Sequence, residues 1–163
     1  MNGSAKTRVA VNGYGVIGKR VAEAIVQQDD MELAGVSDIG TDWRPRMATH
    51  KGFRLFGATA EHADAMKKAG LSIAGTMDEL LVQADVVVDC TPKRVAAKNV
   101  ELYRQRGIKF IVQGGEKHEV TGHSFVAEAS FDGAIGRAST RVVSCNTTSI
   151  VRTLTALKHA GLL

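Results

Sequence analysis

Cysteine is almost missing from this sequence. Cys90 and Cys145 stand 55 positions apart. That excludes a disulfide framework and leaves no CxxC pair for zinc or thioredoxin-like chemistry, so no metal centre is expected. Proline is as scarce, with two residues against 17 glycines, which places the glycines at tight turns and not in a flexible low-complexity tract. Aromatic residues amount to 5%, too few for base-stacking platforms on single-stranded nucleic acid. No strong charge excess exists either. Lys and Arg outnumber Asp and Glu by 21 to 17 and the pI is near 9.2, but the basic residues are scattered (Lys19-Arg20, Arg44, Arg46, Lys67-Lys68, Lys93-Arg94) without a run of five. Such a balance suits a phosphorylated metabolite or a dinucleotide, and no nucleic-acid partner is expected. Residues Met1 to Arg8 lack the apolar core of a signal peptide. No apolar run approaches the ~20 residues of a bilayer span. A reducing cytoplasm and no membrane partner are expected.

What is present is the composition of an ordinary globular domain: 163 residues, 44% apolar and 23% charged, enough for one domain with its own core and too short for two of ordinary size. Strand and helix patterns alternate. Arg8–Asn12 reads as a short buried strand, Val16–Gln28 as a helix whose Ile17, Val21, Ala24 and Ile25 fall near a 3.6-residue period, and Glu32–Val36 as a second strand. Ser37–Thr49 reads as irregular. A helix is predicted over Ala60–Ala69 and ended by Gly70. Thr76 and Glu79 form a capping box that opens a short helix ending near Ala84. Asp85–Asp89 carries three consecutive valines, the mark of a parallel strand buried on both faces. Arg94–Arg106 reads as a helix after Pro92, Ile108–Val112 and Arg141–Ser144 as strands, and Thr148–His159 as a closing helix. Between Gly115 and Arg141 the pattern assigns nothing. The order predicts an α/β fold of Rossmann type, a doubly wound and mostly parallel sheet with right-handed crossovers, in a single dinucleotide-binding domain over 1–163.

The motif that names a ligand class is Val11-Asn12-Gly13-Tyr14-Gly15-Val16-Ile17-Gly18. Alone, G-x-G-x-x-G is weak. Here a strand precedes it, a helix follows it, and an acid, Asp38, comes 20 residues after the last glycine. Gly13 permits the sharp turn, Gly15 lets a pyrophosphate approach the backbone, and Gly18 lets helix and sheet pack closely. Free amides around Val16 and Ile17 then face the phosphates. Asp38 is placed to accept hydrogen bonds from the adenosine ribose and to repel a 2′-phosphate, which favours NAD over NADP. Arg44 and Arg46 reverse that preference if they fold back. A ligand-free turn and a solvated Asp38 are the competing readings. Thr91 and Pro92, after the valine strand, are candidates to touch the cofactor, since strand carboxyl ends face the ligand crevice. Cys90 beside them reads as a small buried apolar side chain. Gly114 and Gly115 end the next strand and suggest close backbone approach, plausibly to the nicotinamide half, against a plain turn.

The second informative segment is Val142-Val143-Ser144-Cys145-Asn146-Thr147-Thr148. It puts Cys145 at or just before a helix N-terminus, where free amides stabilise a thiolate. The same amides, with Ser144, Asn146 and Thr147, offer an oxyanion or anion site. A nucleophilic thiolate beside a nicotinamide points to aldehyde oxidation. Attack gives a thiohemiacetal, hydride leaves to the nicotinamide, and a thioester remains for phosphate or water to open. A buried inert cysteine with ordinary cap residues is the alternative.

At these residues the chain resembles the N-terminal part of glyceraldehyde-3-phosphate dehydrogenase in its divergent archaeal form. The likeness rests on residues 11–22, on Asp89-Cys90-Thr91-Pro92, on Gln113-Gly114-Gly115-Glu116-Lys117, and on Arg141 to Thr148. It implies that Cys145 is the nucleophile, that Ser144 and Asn146 contact a phosphorylated aldehyde, and that Val16, Ile17 and Gly115 contact NAD or NADP. Where many archaeal members carry Lys and Thr after the second strand, this sequence has Ser37-Asp38. The resemblance also implies a longer family chain, whose C-terminal catalytic domain supplies a general-base histidine, the arginines for substrate phosphate and most oligomer contacts. On that reading the chain alone is inactive, a homo-oligomer is expected, and an apolar face is left exposed. The five histidines here do not replace the base. His50, His62, His118 and His123 carry no matching motif, and His159 lies eleven residues along the last helix from Thr148, roughly 16 Å at 1.5 Å per residue. Two other classes share parts of the pattern: a semialdehyde dehydrogenase or acyl-phosphate reductase, and a non-catalytic nucleotide-binding domain.

Overall fold

Eight segments of the chain pair as parallel strands, and the order in which they lie fixes where a ligand can sit. The computed structural model describes residues 5–113 and 115–163, so the readings made on residues 1–4 and on Gly114 lie outside the described residues. The first half comprises β1 (Thr7–Asn12), α1 (Val16–Ile25), β2 (Met31–Asp38), α2 (Trp43–His50), β3 (Leu55–Gly57), α3 (Ala60–Lys68), β4 (Gly75–Thr76) and α4 (Met77–Val82). The second comprises β5 (Val86–Asp89), α5 (Ala96–Gln105), β6 (Lys109–Gln113), a 3-10 turn (His118–Val120), β7 (Ser124–Phe125), α6 (Ala127–Ala134), β8 (Ser139–Val142) and α7 (Cys145–His159). The strands lie in the order β4-β3-β2-β1-β5-β6-β8-β7, each neighbouring pair parallel.

Side-chain alternation along the strands feeds two cores. Ala10, Phe56, Val87 and Phe110 pack with Leu80 of α4 and with Val100 and Tyr103 of α5 on one face. Val9, Val11, Val36 and Leu55 pack with Ala22 and Ile25 of α1, Ala48 of α2 and Met66 of α3 on the other. Helices on both faces are what make the strands read as unbroken apolar runs. The winding direction reverses at β1, because β2 and β3 extend to one side and β5, β6 and β8 to the other. Such a reversal opens a crevice beyond the strand carboxyl ends, here between β1 and β5.

Several boundaries move. The stretch expected to be irregular over Ser37–Thr49 carries β2's end and the helix α2. Asp42 caps that helix by accepting from the Arg44 amide at 2.9 Å, and Pro45 sits in its first turn, where no intrahelical donor is needed. β3 and β4 are short additions at one edge. The unassigned 115–141 region resolves into the 3-10 turn, β7 and α6, the last broken by a non-helical Ser130. β8 spans Ser139–Val142, two residues earlier at each end than predicted, and α7 starts at Cys145. The Thr76–Glu79 capping box forms, with the Thr76 amide donating to Glu79 at 2.6 Å, and that amide holds the Glu79 carboxyl below its usual range. Gly70 closes α3 with φ of 78°. α7 buries none of its 15 residues.

Candidate functional site

The glycine turn between β1 and α1 is shaped by three different steric demands. Gly13 has φ of +92°, and a Cβ there would sit 3.0 Å from the Cys90 carbonyl carbon. A Cβ on Gly18 would fall 1.8 Å from the Gly13 carbonyl oxygen, so α1 packs against the turn at a distance only glycine allows. A Cβ on Gly15 would meet nothing within 4 Å, leaving bare backbone open to the crevice. Gly15 is also the N-cap of α1 and provides no side-chain cap. The first amides of the helix, with the exposed Val16 and Ile17, therefore keep their donors for a ligand. A cradle closed behind and open in front fits the pyrophosphate of a dinucleotide.

Asp38 closes the far side of this turn. Its Oδ2 accepts from the Tyr14 amide at 2.7 Å, and its Oδ1 accepts from the Ile39 and Gly40 amides, each at 2.8 Å. The carboxylate read from the sequence as a ribose acceptor thus also holds the glycine turn in place. Neither arginine suggested as a route to NADP folds back. Arg46 donates to the Ala69 carbonyl at 2.7 Å, and Arg44 faces Asp42 at 3.6 Å.

Beneath the crevice lies a buried polar network that sequence reasoning missed. Ser37 Oγ donates to Asn12 Oδ1 at 2.6 Å, Asn12 Nδ2 donates to the Tyr103 hydroxyl at 2.8 Å, and that hydroxyl donates to Asp89 Oδ2 at 2.6 Å. Asn99 Nδ2 donates to the same oxygen at 2.9 Å, and the Thr91 amide to Asp89 Oδ1, also at 2.9 Å. Asp89 is fully buried and is solvated wholly by these neutral donors. Burial, reinforced by the Asp89 charge, pushes the Tyr103 phenol up. The network joins β1, β2, β5 and α5 directly under Gly13 and Thr91. The one local signal was Asp89 ending an apolar strand. Bonded members of the network lie up to 91 positions apart in sequence, as Asn12 and Tyr103 do, with no contiguous motif to announce them.

At the other end of the crevice α7 begins. Ser144 is its N-cap, with Oγ accepting from the Thr147 amide at 3.3 Å. Cys145 follows as the first helical residue, solvent-exposed, with Sγ 3.8 Å from Asn146 Oδ1. Cys145, Ser144 and Thr148 line a cleft of about 740 Å³ together with Gly115, Gln113 and Ile17. The glycine-turn helix, the end of β6 and the start of α7 therefore share one opening. Asn146 and Thr147 are not among its lining residues. Arg152, two turns along α7, is, and it was not singled out in the sequence although it stands on the same helical face as Cys145. It pairs with Glu128 at 2.6 Å. Thr91 and Pro92 lie on the β5 side of the turn, where the Thr91 nitrogen is 3.1 Å from a notional Gly13 Cβ. Cys90 is the inert thiol the sequence suggests. Burial, then the neighbouring Asp89, pushes it up to about 12.

No histidine lines the cleft. His62 bonds Thr59 at 2.7 Å, His118 Ser124 at 3.0 Å and His123 Thr140 at 2.6 Å, and His50 and His159 end their own helices. Among the described residues no helix is long and apolar enough to cross a membrane.

A doubly wound parallel sheet with a glycine turn at its switch point defines a dinucleotide-binding domain. The chain belongs to the family described as dihydrodipicolinate reductase, N-terminus, whose model matches residues 7–120. Among curated proteins it is 52% identical over 149 residues to a glyceraldehyde-3-phosphate dehydrogenase of Methanothermus fervidus, covering 91% of this chain and 44% of that protein. It is 49% identical over 154 residues to the enzyme of the same name from Thermococcus kodakarensis, covering 94% and 46%. The chain thus spans less than half the length of the curated relatives it matches. Among solved structures it resembles GenD2 from gentamicin A biosynthesis in complex with NAD, at 21% identity and TM-score 0.55 over 88% of this chain and 36% of that one. It also resembles the UDP-N-acetylglucosamine 3-dehydrogenase of Acidithiobacillus ferrooxidans, at 20% identity and TM-score 0.55 over 93% and 44%. These likenesses bear out the predicted Rossmann-type fold.

Proposed function

We propose that this chain is the nucleotide-binding part, carrying the nucleophile, of a phosphorylating glyceraldehyde-3-phosphate dehydrogenase. One observation carries the reading: Ile17 beside the glycine turn, Gly115 at the end of β6 and Cys145 at the start of α7 open onto a single cleft. The half identity to archaeal enzymes of that name supports it, since a match over 149 of 163 residues takes in Cys145 whichever end is left out.

In this reading Gly13, Gly15 and Gly18 shape the turn, and the amides of Val16 and Ile17 bind the pyrophosphate. Asp38 faces the adenosine ribose, Thr91 and Pro92 flank the cofactor, and Gly115 borders its nicotinamide half. NAD, when bound in its oxidised form, supplies a hydride acceptor. Cys145 Sγ attacks the aldehyde carbon, and the new oxyanion faces the first amides of α7, which have no intrahelical acceptor. Ser144, Asn146 and Thr147 orient the aldehyde. After oxidation the acyl group remains on Cys145 as a thioester, which inorganic phosphate opens to an acyl phosphate with return of the thiolate. Proton removal from the thiohemiacetal hydroxyl needs a base, and the cleft offers none among its lining side chains. The 163-residue chain is therefore expected to bind NAD and not to turn over. Partners in this reading are a phosphorylated aldehyde and a further copy of the protein, in the cytoplasm.

Calorimetric titration tests it. Millimolar NAD is expected to bind the chain and not a Gly15→Val variant, whose side chain would stand on the open face of the cradle. Absence of heat with NAD, or steady oxidation of glyceraldehyde-3-phosphate by this chain alone, overturns the assignment of roles.

A further inference from the structure

We propose that Asp42 is a specificity-determining residue, which withholds Arg44 from the 2′-position of the cofactor ribose and so makes the domain selective for the dinucleotide without a 2′-phosphate. The proposal rests on the dinucleotide-binding reading and adds to it the feature that chooses between the two dinucleotides.

Three cations lie on α2, the helix that follows β2, or against it, and each is engaged by a neighbour. Lys19, on α1, sits with Nζ 4.0 Å above the Trp43 ring. Arg46 is spent on the Ala69 carbonyl at the end of α3. Arg44 is the remaining cation, and Asp42 contacts both its backbone amide and its guanidinium. Asp42 Oδ1 accepts from the Arg44 amide at 2.9 Å, and Oδ2 faces its guanidinium at 3.6 Å. The first contact is the N-cap of α2 and concerns the backbone; the second, the ion pair, is the one that engages the guanidinium.

The acids themselves are aimed at the same place. A Cβ on Gly40 would lie 3.3 Å from Asp38 Oδ1 and 3.8 Å from Asp42 Oδ1, so two carboxylates flank one point of the loop. Asp38 is saturated differently from Asp42. Its contacts to the Tyr14, Ile39 and Gly40 amides make it part of the glycine turn, and exchanging it disturbs binding of either dinucleotide. The hydrogen bond and the ion pair of Asp42 both go to Arg44, and the pair is solvent-exposed on both sides. An exposed ion pair is weak and is broken by a competing phosphate unless other charges oppose the exchange. A 2′-phosphate carries close to two negative charges at neutral pH, and Asp38 and Asp42 together supply that opposition. Removing Asp42's charge releases Arg44 and removes half of the repulsion in one step.

Asp42→Asn keeps a side-chain oxygen for the cap, since Asn serves there as well as Asp, and changes only the charge. The native chain, titrated calorimetrically at fixed low salt, is expected to bind NAD at least tenfold more tightly than NADP, and adenosine monophosphate more tightly than adenosine 2′,5′-bisphosphate. In Asp42→Asn, NADP binding is expected to rise about tenfold while NAD binding stays within twofold. Adding Arg44→Ala to that variant should abolish the gain. Equal affinities for the two dinucleotides in the native chain, or an Asp42→Asn variant with unchanged NADP binding, overturns the role of Asp42 and leaves the dinucleotide site standing. If neither dinucleotide nor either adenosine fragment binds, the reading beneath the proposal falls with it.

Discussion

The two thiols differ in placement, one packed and one exposed. Cys90 directly follows β5 under the glycine turn, half-buried, with Gln113 Nε2 donating to its sulfur at 3.4 Å and its ionisation pushed up to about 12. At pH 8 only about one part in ten thousand of such a thiol is thiolate, and the thiolate is the nucleophile. Cys145 is exposed at the first position of α7. Alkylation of the folded chain at pH 8, read by peptide mass, is expected to modify Cys145 to completion and leave Cys90 intact until denaturant is added. Modification of both at equal rates in the native state would show that β5 does not shield Cys90. A second residue-scale consequence comes from Arg94, which has φ of +72° in the loop between β5 and α5. Its amide donates to the buried Glu116 at 2.6 Å, a bond that glycine would retain. Left-handed backbone costs an L-residue ~1 kcal/mol. Arg94→Gly is therefore expected to raise the urea midpoint by the equivalent of about 1 kcal/mol.

Among the secondary elements, those read correctly from sequence carry their evidence locally. β1 and β5 are β-branched runs buried on both faces, and α3 and α4 announce themselves by Gly70 and by the Thr76–Glu79 box. α2 does not. Only Pro45 and Ala48 of its eight residues are buried, so the apolar period is too faint to see, and the helix exists because Asp42 caps it. β3 is three residues long, a strand only by virtue of pairing with β2 and β4. The glycine turn and Cys145 were visible because each motif is contiguous. The Ser37–Asn12–Tyr103–Asp89 network was hidden because its members are brought together only by the sheet. One ion pair acts at this scale. Arg8 at the start of β1 donates to Asp85, just before β5, through both its amide at 2.8 Å and its guanidinium at 2.7 Å. These bonds hold the Asp85 carboxyl down to about 2. A carboxyl depressed on folding contributes stability above its unfolded value, near 4, and loses it as pH falls toward 2. Thermal melts of Asp85→Asn are expected to show a flatter pH dependence over that window than the parent. An identical slope would mean that the pair adds nothing to the folded state.

For the molecule as a whole, order is concentrated toward the glycine turn and thins toward the C-terminus. The two cores end at β6 and α5. α7 has no buried residue, and Ile150 and Leu154 are 61% and 48% exposed. Helices with so few apolar contacts open locally at low free energy. Hydrogen exchange of the isolated chain should therefore protect amides of β1 and β5 far longer than those of α7. Ile150→Lys should shift the melting transition by no more than about 0.5 kcal/mol. Equal protection of α7 and β1 would reveal a partner on that helix, most simply a second copy. Phe131 of α6 and Ile135 just after it are exposed in the same way and border an apolar groove of about 340 Å³ over β6 and β8.

The network beneath the crevice has a direction. Asp89 only accepts, so the Tyr103 hydroxyl must donate to it and accept from Asn12, and the Asn12 oxygen must then take the Ser37 proton. Each orientation dictates the next, and the set admits one arrangement of its protons. Replacing Asn12 with Asp sets acceptor against acceptor at one end, and replacing Asp89 with Asn sets donor against donor at the other. Anyone grafting another protein's phosphate loop onto this sheet has to transplant β1, the end of β2, β5 and α5 as one block, because the four segments share a single wiring scheme.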